Sequence, residues 1–334
     1  QRGRGARGNP RAQDPGTGYM HEPKGGWTDN SDKPSPLWPT VFIVAAPKSG
    51  STSLGEKLFE LPQFCRPAPL KEQKVPWNTD KEVHFFDRPP DMRNGYGNYL
   101  RHFGQDPKCQ EKSQSEKFIH LDGTPSYMMT RGGAVRIKKI IPPVLHRKLK
   151  FIAVFREPIA RDLSWYNHQI AIDKFWNGPQ YKKGMSYSDY VRTSVTIAQH
   201  KGGDATLEHV LQQGYFAVHL QQWLKEFNNK ETLVLNYETL VHNTSDTLKR
   251  IALFLDFDAA SWKDLNLPKA NEREHAGKLK VQDIDSNTCE ILHNWYSEHN
   301  EALYKLLEAR RSEFPEMQPD FPRWAPPPCL KRQN

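Results

Sequence analysis

Long apolar runs are missing from this 334-residue chain. No stretch approaches the ~20 residues that span a bilayer, and no secretory leader is readable at Gln1. The chain does not start with methionine, so a membrane anchor or targeting segment is expected only upstream of Gln1. Cysteine is scarce as well. Cys65, Cys109, Cys289 and Cys329 stand far apart, with no C-x-x-C pair and no Cys/His spacing of a zinc site, so no metal is expected. Four cysteines allow two disulfides in an oxidising lumen or four free thiols in the cytosol. Zinc-finger and RNP patterns are absent, and the basic residues are spread rather than blocked, which argues against nucleic acid as a partner. No internal repeat is evident.

What is present begins with charge. The chain holds 47 Lys and Arg against 39 Asp and Glu, a net charge of +8. That suits an anionic ligand or polymer, and equally a solvated basic surface. The hydrophobic fraction of 37% is enough for a core, and the length fits one large α/β domain or two small ones. Residues 1–36 carry Gly, Pro, Arg and Asp with almost no apolar side chains. Such a segment buries too little to offset its chain entropy and is expected to be a disordered tail or stem. Order is expected from Leu37-Trp38-Pro39, giving one domain over 37–334. Asn243-Thr244-Ser245 is a glycosylation sequon, a weak sign of a lumenal chain.

The stretch Thr40–Leu54 reads TVFIVAAPKSGSTSL. A buried strand runs into a tight small-residue turn and then a helix. That arrangement binds phosphate or sulfate, because free N–H groups and the positive end of the helix dipole face the anion. Lys48 adds a full charge, and Ser49, Ser51, Thr52 and Ser53 add hydroxyls around Gly50. Further strands are expected at 118–122, 150–155 (KFIAVF) and 232–237 (TLVLNY), with a short strand-like piece at 81–87 (KEVHFFD). Helices are expected at 96–103, within 136–150, after Pro158, over 209–227, over 243–255 and over 285–310. A Pro-rich loop covers 61–78, and 175–203 reads as a polar, aperiodic insert. Strands alternating with helices predict a three-layer α/β fold, a central parallel sheet flanked by helices. Ligands then bind at the carboxyl ends of the strands, where Lys48, Glu82 and Arg156 fall.

A second anion-binding element is Arg156, at the end of a strand, with Ser164 two turns into the next helix. Arg156 paired with Glu157 or Asp162 is the alternative reading. Two strand-end anion sites suit a ligand with two separated phosphate groups. Glu82, set among Val83, Phe85 and Phe86, is expected to have a raised pKa and can take a proton from a weakly acidic hydroxyl. A salt bridge from Glu82 to Lys81 or Arg88 is the competing reading. His84 either contacts the acceptor or is a hydrogen-bonded structural histidine.

APKSGSTSL resembles the 5′-phosphosulfate loop of sulfotransferases, and REPIARDLSWYNH resembles their 3′-phosphate motif. KEVHFFD resembles the catalytic stretch of the Golgi glycosaminoglycan sulfotransferases, the heparan sulfate 3-O and N-acetylgalactosamine 4-sulfate 6-O types. GYFAVHLQQWLKEF, residues 214–227, resembles the helix before their last strand. The match runs in order from Val41 to Phe257. It implies a P-loop-like sulfotransferase fold using 3′-phosphoadenosine 5′-phosphosulfate (PAPS) as donor, with 3′-phosphoadenosine 5′-phosphate (PAP) as product and no metal. Lys48 would contact the 5′-phosphosulfate and stabilise the leaving oxygen. Ser49, Gly50, Ser51, Thr52 and Ser53 would cradle it. Arg156 and Ser164 would hold the 3′-phosphate. Glu82 matches the general base, with His84 and Asp87 in the acceptor cleft. The resemblance points to an anionic polysaccharide acceptor and to the Golgi lumen or secretion. The chain departs from the family at Gly123, where the 3-O enzymes have an acceptor-contacting Lys. The family's Lys-Gly-Arg loop is not matched cleanly either, leaving Lys269, Arg273 and Lys278 as candidates.

Three rivals remain. A P-loop kinase or NTPase could use Asp122 for Mg²⁺, but Walker A places its Lys after the second Gly, whereas Lys48 precedes Gly50. A sulfotransferase acting on a small hydroxylated molecule and a non-catalytic anion- or glycan-binding protein are the others.

Overall fold

Val41–Ala45 forms strand β1, and all five of its residues are buried. Their side chains alternate between two covered faces, which is why the segment reads as one continuous apolar run. The computed structural model describes residues 33–70, 81–87, 95–110, 118–172, 180–200, 210–228, 230–262, 278–313 and 321–332. The expected tail lies almost entirely outside these residues, as do Lys269 and Arg273.

Four more strands complete the sheet with β1: β2 (Phe64–Cys65), β3 (Ile119–Asp122), β4 (Lys150–Phe155) and β5 (Thr232–Asn236). The order is β2-β3-β1-β4-β5, and every pairing is parallel. Val41 sits opposite Lys150, and Phe151 opposite Thr232. The chain leaves β1 for β3 on one side and reaches β4 on the other, so a crevice opens at the carboxyl ends beside β1.

The helices are α1 (Ser51–Glu60), α2 (Gly95–Leu100), α3 (Pro107–Gln110), α4 (Gly133–Ile140), α5 (Pro158–Ala171), α6 (Tyr187–His200), α7 (Phe216–Leu224), α8 (Tyr237–His242), α9 (Thr244–Phe254) and α10 (Ser286–Glu313). On one face of the sheet Phe42, Val44, Phe151, Ala153 and Phe155 pack with α2, α4 and α7. On the other, Ile43, Ala45, Ile152, Val154, Leu233 and Leu235 pack with α1 and α9. A third cluster joins α5, α6 and α10 through Ile159, Leu163, Tyr190, Leu292 and Tyr296. The three layers are those expected.

Four local expectations change. Residues 81–87 are a loop, because His84 takes a left-handed φ of 57°. The Pro-rich 61–78 loop contains β2, which pairs with β3 through Phe64 and Ile119. The region read as aperiodic contains α6, whose Tyr187, Tyr190, Val191 and Ser194 are buried. The helix expected over 209–227 is split, with a 3₁₀ turn at Leu211–Gly214 before α7. All four cysteines are bonded, Cys65 to Cys109 and Cys289 to Cys329, across sequence separations of 44 and 40. By chain entropy alone, closing a loop of this size stabilises the fold by about 4 kcal/mol.

Candidate active site

Four chain segments meet at the carboxyl edge of the sheet. The first is the turn between β1 and α1. Lys48 has φ 73° and Gly50 φ 89°, and a left-handed lysine stores strain unless its surroundings fix it. Here two arginines do so. The Pro47 carbonyl accepts from Arg161 Nε at 3.0 Å, and the Lys48 carbonyl accepts from Arg156 Nη1 at 3.2 Å. Gly50 caps α1 without any side-chain cap hydrogen bond, so the N–H groups of Ser51, Thr52 and Ser53 have no intrahelical partner. A Cβ at Gly50 would lie 2.6 Å from ring carbons of Tyr237. Position 50 therefore needs glycine for its φ and for this close approach. Ser49 is fully buried, and its hydroxyl has no hydrogen-bond partner among the described residues.

The second segment is the β4–α5 turn. Arg156 lies over the ring of Tyr237, 4.8 Å from the centroid, and reaches the Lys48 carbonyl. It forms no ion pair with Asp162, which sits instead 3.8 Å from Arg161. Glu157 turns back to cap α5, accepting from the N–H groups of Ile159 and Ala160 at 3.0 and 2.7 Å. Burial, with Glu238 adding repulsion, raises its carboxyl to about 7 against those two bonds and the Arg156 charge. Ser164 is half-buried on α5.

The third segment carries Glu82 and His84. Thr124 Oγ1 accepts from the N–H groups of Val83 and His84 at 2.9 and 3.2 Å and donates to Asp122 Oδ1 at 2.6 Å. Tyr99 and Tyr127 donate to the other Asp122 oxygen at 2.9 and 2.8 Å. Asp122, the residue read as a possible Mg²⁺ ligand, is thus a fully buried support for this loop. Thr124→Val is expected to orphan both N–H groups at a cost of about 1–3 kcal/mol in urea unfolding. It should also lower kcat while sparing donor affinity.

Within the loop, Glu82 is held on both sides. One oxygen pairs with Lys81 Nζ and the other lies 3.1 Å from His84 Nε2. His84 Nδ1 lies 2.7 Å from Asp87 Oδ2, which also accepts from Ser126. Burial alone would raise the Glu82 carboxyl, but Lys81 and His84 outweigh it and bring it to about 2. The expected raised pKa is therefore corrected, and the competing salt bridge to Lys81 is present. Burial alone would lower the His84 imidazolium, but Asp87 and Glu82 raise it to about 9. Gly123 donates its N–H to the Lys81 carbonyl at 2.9 Å. A Cβ there would come within 3.1 Å of that carbonyl, a close approach that leaves little room for a side chain.

The fourth segment is 278–280. Asn167 on α5 brackets Leu279, donating to its carbonyl at 2.8 Å and accepting from its N–H at 3.3 Å. This holds Lys278 within electrostatic reach of Lys48. Burial lowers the Lys48 ammonium to about 8; Glu82 opposes the shift, and Arg156, Lys278 and Lys81 add to it. Of the three candidates for the downstream cation, Lys278 is the one inside the described residues. His168, one turn beyond Ser164, also faces this cleft. Burial lowers it to about 4, with Lys48 lowering it further and Glu82 opposing. Sequence reading assigned no role to Asn167 or His168. The only signal was their spacing from Ser164 along one helix.

Such a cleft can hold a ligand with two anionic groups and place a carboxylate beside it. A family model for the sulfotransferase domain matches residues 39–300. The chain belongs to the sulfotransferase family. Among its relatives, the bifunctional heparan sulfate N-deacetylase/N-sulfotransferase 1 of Xenopus laevis is 23% identical over 90% of this chain. The chain spans only 32% of that protein's length. The heparan sulfate glucosamine 3-O-sulfotransferase 3A1 of Homo sapiens is 24% identical over 90% of this chain and 69% of its own. A sulfotransferase crystal structure from Alicyclobacillus acidocaldarius superposes with a TM-score of 0.57 at 19% identity. The match covers 82% of this chain and 99% of the other. In this sulfotransferase-family chain, Lys48, Glu82 and Arg156 therefore lie on the family's own fold.

Proposed function

We propose that the chain transfers a sulfuryl group from PAPS to a hydroxyl of an anionic polysaccharide, a glycosaminoglycan being the favoured acceptor. The observation that carries this is the convergence of Lys48, Glu82 and Arg156 from separate segments on one crevice. The residues present fit the donor. The orphaned Ser49 hydroxyl, the uncapped start of α1 and the Lys48 ammonium form one anion cradle. Arg156, with Ser164 half-buried on the helix that follows it, would supply a second.

When bound, PAPS supplies a sulfuryl group whose departure leaves negative charge on the bridging phosphate oxygen. Lys48 neutralises that charge, and the N–H groups of Ser51, Thr52 and Ser53 orient the phosphosulfate. Arg156 and Ser164 fix the 3′-phosphate. Glu82 accepts the hydroxyl proton, while His84, anchored on Asp87, orients the carboxylate. Lys278, within electrostatic reach of Lys48, would add a further cation beside the bound donor. The names of the relatives favour a heparan-sulfate-like acceptor, and the +8 charge is in keeping with it. Two disulfides and the exposed sequon residue Asn243 favour the Golgi lumen or secretion. Among the described residues no helix is long and apolar enough to cross a membrane.

The test is transfer of radiolabelled sulfate from PAPS to a panel of glycosaminoglycans and small hydroxylated compounds, without added metal. Transfer to a polysaccharide is expected. Preference for a small acceptor would overturn the polysaccharide assignment. PAP binding with no transfer to any acceptor would leave a non-catalytic anion-binding protein.

A further inference from the structure

Residues 321–332 return along α10 to the donor end of the sheet. Cys329 is bonded to Cys289 in the first turn of α10. The Trp324 ring packs on Phe216, Tyr304 and Phe321, with centroids 5.9, 5.8 and 5.3 Å away. Its backbone N–H donates to the Tyr304 hydroxyl at 2.9 Å. From this seat the strap reaches the Arg156 turn by two routes. In the polar route, the Trp324 indole N–H donates to Glu238 Oε2 at 2.8 Å, and Glu238 Oε1 accepts from the N–H of Glu157 at 3.1 Å. In the apolar route, Phe216 beneath Trp324 stacks on Phe155 at 4.6 Å and 12°. Phe155 and Glu157 are the two chain neighbours of Arg156.

Glu238 also follows Tyr237, the ring over which the Arg156 guanidinium lies. While both its oxygens are engaged, the Glu238 carboxylate is kept from the guanidinium. An oxygen freed there would compete with any anionic ligand for Arg156. We propose that Trp324 is a positioning residue for the donor's 3′-phosphate site. It holds Glu238 away from Arg156 and the Arg156 turn in place, and the Cys289–Cys329 bridge keeps it seated. This rests on the reading of Arg156 as the 3′-phosphate residue.

The experiment is calorimetric titration of PAP and of adenosine 5′-phosphosulfate, which lacks the 3′-phosphate, into the full chain and its variants. Trp324→Phe keeps an aromatic ring in the seat while removing the indole N–H and part of the bicyclic ring. It is expected to raise the Kd for PAP about fivefold, within the range of couplings carried through intermediate contacts. Affinity for adenosine 5′-phosphosulfate should stay as it was. The Cys289→Ser/Cys329→Ser pair should show the same selective loss. Adding Glu238→Gln to Trp324→Phe should recover most of the PAP affinity, since a neutral amide does not compete for Arg156; a merely structural role would show no such rescue. Unchanged PAP affinity in Trp324→Phe, or equal weakening of both ligands, overturns the inference and leaves the donor reading standing. No PAP binding by the unaltered chain overturns the donor reading itself, and the inference with it.

Discussion

Glu82→Gln is expected to lower kcat about a hundredfold to ten-thousandfold, the range for loss of a positioned proton acceptor, with little change in PAP affinity. The amide keeps the shape and a hydrogen bond to His84 but cannot take a proton. The wild-type carboxylate is itself a weak base, held near 2 because Lys81 and His84 outweigh its burial. A carboxyl whose folded pKa is depressed stabilises the fold above its ordinary value near 4.5 and loses that contribution as pH falls through 2. His84 runs the other way. Raised to about 9, its imidazolium stabilises the fold fully below 6.5 and loses that contribution as pH rises through 9. Glu82 is thus ionised at every working pH, and no acid limb in the pH–rate profile should belong to it. A weak base suits a late proton transfer, after the attacking hydroxyl has been acidified by bonding to sulfur. Lys81→Met removes the cation that contributes most to the depression. The variant should acquire an acid limb moving up toward the ordinary carboxylate range. A Glu82→Gln enzyme with full kcat would remove Glu82 from the chemistry.

Much of the fold was legible because the sheet is covered on both faces. β1, β3, β4 and β5 carry short apolar runs, and the residues following β1 and β4 place Lys48 and Arg156 at the ligand-binding edge. β2 was hidden because it has two residues inside a Pro-rich stretch, and only its pairing with β3 makes it a strand. The alternation in 81–87 imitates a strand. What makes it a loop is Thr124, 40 residues away, taking both the Val83 and His84 N–H groups. The same distance effect defeated the pKa reading of Glu82. Its apolar sequence neighbours Phe85 and Phe86 turn into the core, while Lys81 and His84 turn toward the carboxylate. Helix α6 escaped because its periodic face is built on tyrosines, Tyr187 and Tyr190, whose rings are buried like those of any core aromatic. Lys278 stood among three candidates that the sequence could not separate, and His168 becomes visible only when α5 brings it to Lys48.

Lys48→Met should lower kcat/KM for PAPS by a factor of about a hundred to a thousand, the cost of losing one preorganised group at a developing oxyanion. The pH dependence of the unaltered enzyme offers a sharper check on its role. Burial, with the facing cations, brings the Lys48 ammonium down to about 8. A lysine depressed in the folded state costs stability while it is charged, and that cost is relieved as pH rises from 8 toward 10.5. The free enzyme should therefore lose the required charge above pH 8, and kcat/KM for PAPS, which reports the free enzyme, should fall from there. In the complex the donor's own negative charge favours the ammonium, so the corresponding limb in kcat should lie at higher pH. Donor binding at pH 8 to 9 should then take up a proton, measurable as a buffer-dependent binding enthalpy. His84, titrating near 9, is the other group able to produce a basic limb. The two are separable, because Lys48→Arg keeps a charge that does not titrate in this range. That variant should lose the limb near 8 in kcat/KM for PAPS while retaining any limb near 9. A limb that stays near 8 in Lys48→Arg would assign it to another group and remove the argument that Lys48 carries the charge on the departing oxygen.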